Sequence, residues 1–138
     1  MITLLTGTKG SGKTKRLLAR IDAALAASQG HVVCVEDGTK LSSDVNYRVR
    51  LVSANHFQIK GFDAFYGLLA GLCAGDHDIT DILVDATLRI GSRDFDQLGE
   101  FIKKVDALSK DADVHFVFTV ATDRENIPAD AQALCEVE

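Results

Sequence analysis

The chain has 138 residues, 46% apolar and 25% charged, with 20 acidic side chains against 15 basic ones and a net charge of −5. Such a length and composition predict one globular domain over residues 1–138 and leave no apolar stretch long enough to span a bilayer. The acidic balance also disfavours a general grip on nucleic acid, which depends on neutralising phosphates. Along the chain, Ile2 to Leu5 form a short apolar strand. The glycine-rich run Gly7-Thr8-Lys9-Gly10-Ser11-Gly12-Lys13-Thr14 follows. Lys13 to Ser28 then place Leu17, Leu18, Ile21, Ala24, Leu25 and Ser28 on one face at helical spacing. After the stop at Gly30, His31 to Glu36 is a nearly continuous β-branched run and reads as a strand. A polar segment from Asp37 to Tyr47 leads to Val49–Val52, which alternates with Arg48 and Arg50 and reads as an edge strand or a flank of the sheet.

The second half repeats the alternation. Phe62 to Gly75 form a helix presenting Phe62, Phe65, Leu68, Leu69, Leu72 and Cys73, and Gly67 and Gly71, one turn apart, predict close packing against a strand or partner. Ile82 to Asp85 are a buried strand. Asp94 to Leu108 form a helix with capping-box spacing between Asp94 and Gln97, and Val114 to Val120 are another strand. Ala121 to Asp130, with the single proline at Pro128, reads as a loop, and Ala131 to Val137 as a last short edge strand. Strands apolar on both sides, separated by helices, predict an α/β fold of three layers, with a mostly parallel sheet between helices. Cys34, Cys73 and Cys135 lack C-x-x-C spacing and read as reduced, buried thiols, and the four scattered histidines lack ligand spacing. A start that enters the first strand at once predicts no signal peptide and a cytoplasmic chain.

The glycine run carries chemistry because of what surrounds it. A phosphate that gives up its hydration needs converging backbone N–H groups and a helix N-terminus, and strand, loop and helix here follow in the order that supplies both. Gly7, Gly10 and Gly12 permit positive φ and close approach. Lys13 reaches β- and γ-phosphates, and the Thr14 hydroxyl suits the oxygen-rich shell of Mg²⁺. Asp85 ends an apolar run, so its carboxylate is expected at the C-terminal end of a buried parallel strand, where ligands bind.

Together these residues resemble the P-loop NTPases, with Gly7 to Thr14 matching the Walker A motif and Ile82 to Asp85 the Walker B motif. The resemblance implies the three-layer P-loop NTPase fold and an ATP or GTP bound with Mg²⁺. Gly7, Thr8, Lys9, Gly10, Ser11, Gly12, Lys13 and Thr14 would hold the nucleotide, and Thr14 and Asp85 the metal. The guanine-reading N-K-x-D motif is missing, which favours ATP over GTP. Ala86 stands where many hydrolases of the additional-strand division place a glutamate. RecA-like members carry it instead at the end of the strand after the loop's helix, where Glu36 stands, so Glu36 with Lys13 is the implied catalytic pair. Glu36 and Asp37 also suit the start of a polar turn at Gly38. Thr119 or Thr122 would sense the γ-phosphate, and Arg89 and Arg93 would stabilise transferring charge or meet a partner. The expected function is Mg²⁺-dependent ATP binding with weak or partner-dependent ATPase activity. Two alternatives stand beside it, a small-molecule phosphotransferase and a non-hydrolysing ATP-dependent switch. A protein partner or homo-oligomer is compatible with each.

Overall fold

The computed structural model describes residues 1–138. Its elements are β1 (Ile2–Thr6), α1 (Lys13–Ala27), β2 (His31–Glu36), β3 (Arg50–Ser53), α2 (Phe62–Gly75), β4 (Ile79–Asp85), α3 (Thr87–Ile90), α4 (Phe95–Ala112), β5 (His115–Val120), α5 (Ala129–Gln132) and β6 (Glu136–Val137), with a 3₁₀ turn at Arg124–Asn126. The six strands form one all-parallel sheet in the order β3-β2-β4-β5-β1-β6. The fold is therefore α/β, and the apolar runs of β1, β2, β4 and β5 form its interior because helices cover both faces. No helix is long and apolar enough to cross a membrane.

The two faces carry unequal cores. Opposite α1, a core of 25 buried residues gathers β-strand side chains with Phe62, Phe65 and Leu69 of α2 and Leu98, Phe101, Ile102 and Val105 of α4. Phe65 and Phe101 stack at 4.8 Å, and Phe101 meets Phe118 edge-on at 5.7 Å. Under α1, nine buried residues suffice, among them Leu5, Leu17, Ile21, Cys34, Leu83 and Val117. Alternation along each strand sends odd and even positions to different faces. Val33 and Val35 thus join the larger core, while Val32 and Cys34 join the smaller.

Local chemistry explains most boundaries. Asp94 caps α4, accepting from Gln97 N at 3.1 Å. The reciprocal half of the capping box is replaced, since Asp94 N donates to Ser92 Oγ and the Gln97 side chain accepts from that same hydroxyl. Strand β4 starts at Ile79 rather than Ile82, pairing with β2 across an irregularity at His31/Val32. The stretch Ala131–Val137 is a strand only at Glu136–Val137, because a helical turn begins at Ala129, just after Pro128, whose ring holds φ at −52°. Helix α3 is too short to show a period and was not expected. Cys34 and Cys73 are buried, Cys135 is half-buried, and all three are free thiols. Burial, followed by the nearby charges of Glu36 and Asp85, pushes the Cys34 thiol up to about 12.

The expected close packing at Gly67 and Gly71 does not occur. Both lie on the exposed face of α2, and a methyl group at either would meet nothing within 4 Å. At Gly91, by contrast, the missing side chain matters to packing, because a methyl there would run into the Phe62 ring. Gly67→Ala and Gly71→Ala are each expected to stabilise the fold by about 0.5–1 kcal/mol through helix propensity. Gly91→Ala is expected to destabilise it by about 1–3 kcal/mol through overpacking. Urea unfolding of the three variants measures these signs, and destabilisation by the α2 substitutions would show a contact on that face.

Candidate functional site

The C-terminal ends of β1, β2, β4 and β5 open on one edge of the sheet, where the glycine loop also lies. Residues 7–12 connect β1 to α1 through three glycines of positive φ: Gly7 at 141°, Gly10 at 84° and Gly12 at 85°. A side chain at Gly7 would collide with the Ser11 hydroxyl, whereas Gly10 and Gly12 have open space around them and are selected by backbone conformation. The loop is anchored by Gly7 N donating to Thr122 O at 3.0 Å and by the Arg16 guanidinium donating to Thr6 O at 2.7 Å.

Gly12 caps α1 without a side-chain hydrogen bond, and the first turn of that helix holds no acidic residue. It holds Lys13, Lys15 and Arg16 instead. Cations at a helix N-terminus oppose the helix dipole, and the first-turn N–H groups have no side-chain acceptor. An anion seated there would answer both. Lys13 Nζ bends back to donate to Thr8 O at 2.8 Å and to Ser11 Oγ at 3.4 Å. Burial lowers its pKa, the Asp85 charge raises it in part, and Arg16 lowers it further.

Asp85 ends β4 between two hydroxyls. Thr119 Oγ1 donates to Asp85 Oδ1 at 2.6 Å, and Thr14 Oγ1 approaches Asp85 Oδ2 at 3.5 Å, the outer limit of a hydrogen bond. The shorter bond fixes the carboxylate from β5, while the other oxygen faces α1. A hydroxyl and a carboxylate oxygen so placed are the hard donors that Mg²⁺ takes alongside water, so Thr14 and Asp85 fit that ion. Thr119 is a buried positioning residue for Asp85. Thr122, also buried, accepts from Asn126 Nδ2 at 3.0 Å.

Glu36 is the register partner of Asp85 on the neighbouring strand. Its side chain is 3% exposed, and Oε2 accepts from Leu41 N at 3.0 Å, closing the turn that leaves β2. Oε1 is buried without a protein partner. Burial raises the pKa of this carboxyl, hydrogen bonding from Leu41 N opposes the rise, and the Asp85 charge adds to it.

A cleft of about 990 Å³ runs along this edge. Its walls include Thr8, Lys9, Gly10, Gly12, Lys13 and Thr14 of the loop region together with Asp85, and they continue to Lys40, Arg89, Arg93 and the segment after β5. Gly7, Ser11 and Glu36 are not part of the wall. The structure thus brings the loop, Thr14 and Asp85 to one cleft and sets the Glu36 carboxylate behind the Lys40–Leu41 turn. The roles of Thr119 toward Asp85 and of Lys40 in the cleft were not legible in spacing, because they depend on strand order. Nor was the cluster at the opposite end of the sheet. There His31, Asp76 and Asp78 bring ligand-type atoms within 4.8 Å of one another, and His31 Nδ1 lies 2.6 Å from Asp76 Oδ2 as an ion pair. Comparison of the chain with models of protein families and with curated proteins found no match.

A raised pKa means that the folded state keeps the Glu36 proton to higher pH than the unfolded chain does. The group therefore costs stability as pH rises from its ordinary value of 4.5 through the folded-state value. Glu36→Gln keeps an acceptor for Leu41 N and removes the charge, so its melting temperature should gain on wild type as pH rises from 4 toward 8. Glu36→Ala leaves Leu41 N unpaired and should cost about 1–3 kcal/mol. Parallel pH profiles of wild type and the Gln variant would show that Glu36 ionises freely.

Proposed function

We propose that this chain is a P-loop NTPase of the additional-strand division that binds ATP with Mg²⁺ at the glycine loop, as a cytoplasmic protein. The observation that carries the reading is the pairing of a three-glycine, positive-φ loop with an uncapped helix whose first turn is wholly basic or neutral. In this reading the loop amides and Lys13 bind the β- and γ-phosphates, with Lys13 exchanging its bonds to Thr8 O and Ser11 Oγ for phosphate oxygens. Thr14 and Asp85 hold the ion, and Thr119 keeps the carboxylate turned toward it. Bound there, Mg²⁺ would neutralise charge on the phosphates. The position of β5 between β1 and β4 agrees with an additional strand separating the loop strand from the strand of Asp85.

Hydrolysis needs a base beside the γ-phosphate. Glu36 is one strand away from Asp85, and burial raises its pKa above the ordinary carboxyl value, which makes its carboxylate the stronger base. Its Oε2, however, is engaged by Leu41 N and its side chain is enclosed. Turnover through Glu36 therefore requires the turn at residues 37–41 to open, by ligand or partner. That same engagement favours a second reading, in which the chain binds ATP without hydrolysing it and the turn acts as a switch.

Titration with ATP, ADP and GTP, with and without Mg²⁺, followed by phosphate release, tests both readings. Lys13→Ala is expected to weaken Mg²⁺·ATP binding by about 10- to 100-fold, the loss of charge-assisted hydrogen bonds to phosphate. Unchanged binding in this variant would remove the loop assignment. If Glu36 is the base, Glu36→Gln abolishes phosphate release while ATP binding persists. Equal release from both proteins takes Glu36 out of the chemistry, and tight binding with no release from wild type selects the switch.

A further inference from the structure

The cleft is charged against the grain of the molecule. Its walls carry five cations, Lys9, Lys13, Lys40, Arg89 and Arg93, and two carboxylates, Asp85 and Asp123. The whole chain holds 15 basic and 20 acidic side chains. Lys9 and Lys13 belong to the glycine loop. Lys40 follows β2, Arg89 lies on α3 just after β4, and Arg93 stands just before α4 against Ala121 at the end of β5, so all three line the cleft from outside the glycine loop. None of the three takes part in an ion pair. Arg93 donates to Ala121 O at 3.2 Å and lies over the Phe95 ring, which fixes its stem and leaves further guanidinium donors unused. Ala86 and Leu88 also line the cleft and add a small apolar portion to its wall.

With five cations against two carboxylates in one concave site, the excess positive charge is self-repelling unless an anion joins it. Resting on the reading that the loop takes the triphosphate, we propose that Lys40, Arg89 and Arg93 form a second anion subsite. It would bind a small molecule bearing a phosphate or carboxylate group beside the nucleotide. Arginine forks suit these planar or tetrahedral oxyanions through paired N–H donors. The concave form selects a small ligand, and a net charge of −5 opposes a broad polyanionic surface.

The test fills the loop first. Protein saturated with Mg²⁺ and a non-hydrolysable ATP analogue occupies the γ-phosphate position, and inorganic phosphate and citrate are then titrated calorimetrically at constant ionic strength. One saturable anion site is expected in wild type. Arg89→Gln combined with Lys40→Gln should weaken it at least about tenfold, with analogue affinity held within about threefold. Arg93→Gln should act in the same direction. No anion binding to the saturated protein, or binding indifferent to these substitutions, overturns the subsite. A parallel loss of analogue affinity overturns it as well, since the three cations would then serve the nucleotide. If the analogue does not bind wild type, the loop reading fails. The same anion titrations on the free protein, with Lys13→Ala as a second background, still decide whether Lys40 and Arg89 hold an anion. Phosphate against citrate distinguishes the two oxyanion classes.

Discussion

The parallel register of β2, β4 and β5 is the constraint on which the cleft depends. Cys34, Leu83 and Val117 form one apolar row on the face beneath α1, and Glu36, Asp85 and Thr119 form the next row at the strand ends. A slip of one residue in either pairing would turn a member of that row to the opposite face. The 2.6 Å bond from Thr119 to Asp85 therefore expresses a strand alignment that packing has already set. Two residues further back the row is apolar, and at the row itself Thr119 meets Asp85 and the turn at Leu41 meets Glu36 Oε2, while Glu36 Oε1 stays buried without a protein partner.

The loop adds a second layer to the same arrangement. Its conformation needs glycine, its helix start is uncapped, and its nearest charges are mostly positive. Each of these is unfavourable in isolation. Their convergence beside Asp85, on an edge fixed by the sheet, is what gives the site a chemical direction. Stability in this region is spent on shape and charge, while the opposite face of the sheet concentrates apolar packing.

Much of this was legible in the residues. Apolar runs ending in Glu36 and Asp85, and helical periodicity in Phe62–Gly75, mark elements whose side chains are dictated by burial, and β2 and α2 occur over the expected residues. The glycine run marks its own backbone. What escaped was set by neighbours distant in sequence. Thr119 meets Asp85 because β5 lies beside β4, and Lys40 reaches the cleft because a buried carboxylate holds the turn before it. Gly67 and Gly71 misled because a helical glycine has the same appearance in sequence whether it faces a neighbour or water. The tail misled because four residues of helix after Pro128 carry no period.

The unequal cores have a dynamic meaning. Helix α1 rests on nine buried residues, while α2 and α4 share a core of 25. Free energy of local opening follows the apolar surface that an element buries. The layer holding the glycine loop is accordingly the one that detaches at least cost, as a unit separable from the phenylalanine-rich layer behind the sheet. Anything that grips α1 and β4 at once would act as a clamp across the weaker seam, and its presence would register as slowed amide exchange along α1 well before it changed the unfolding of the whole molecule.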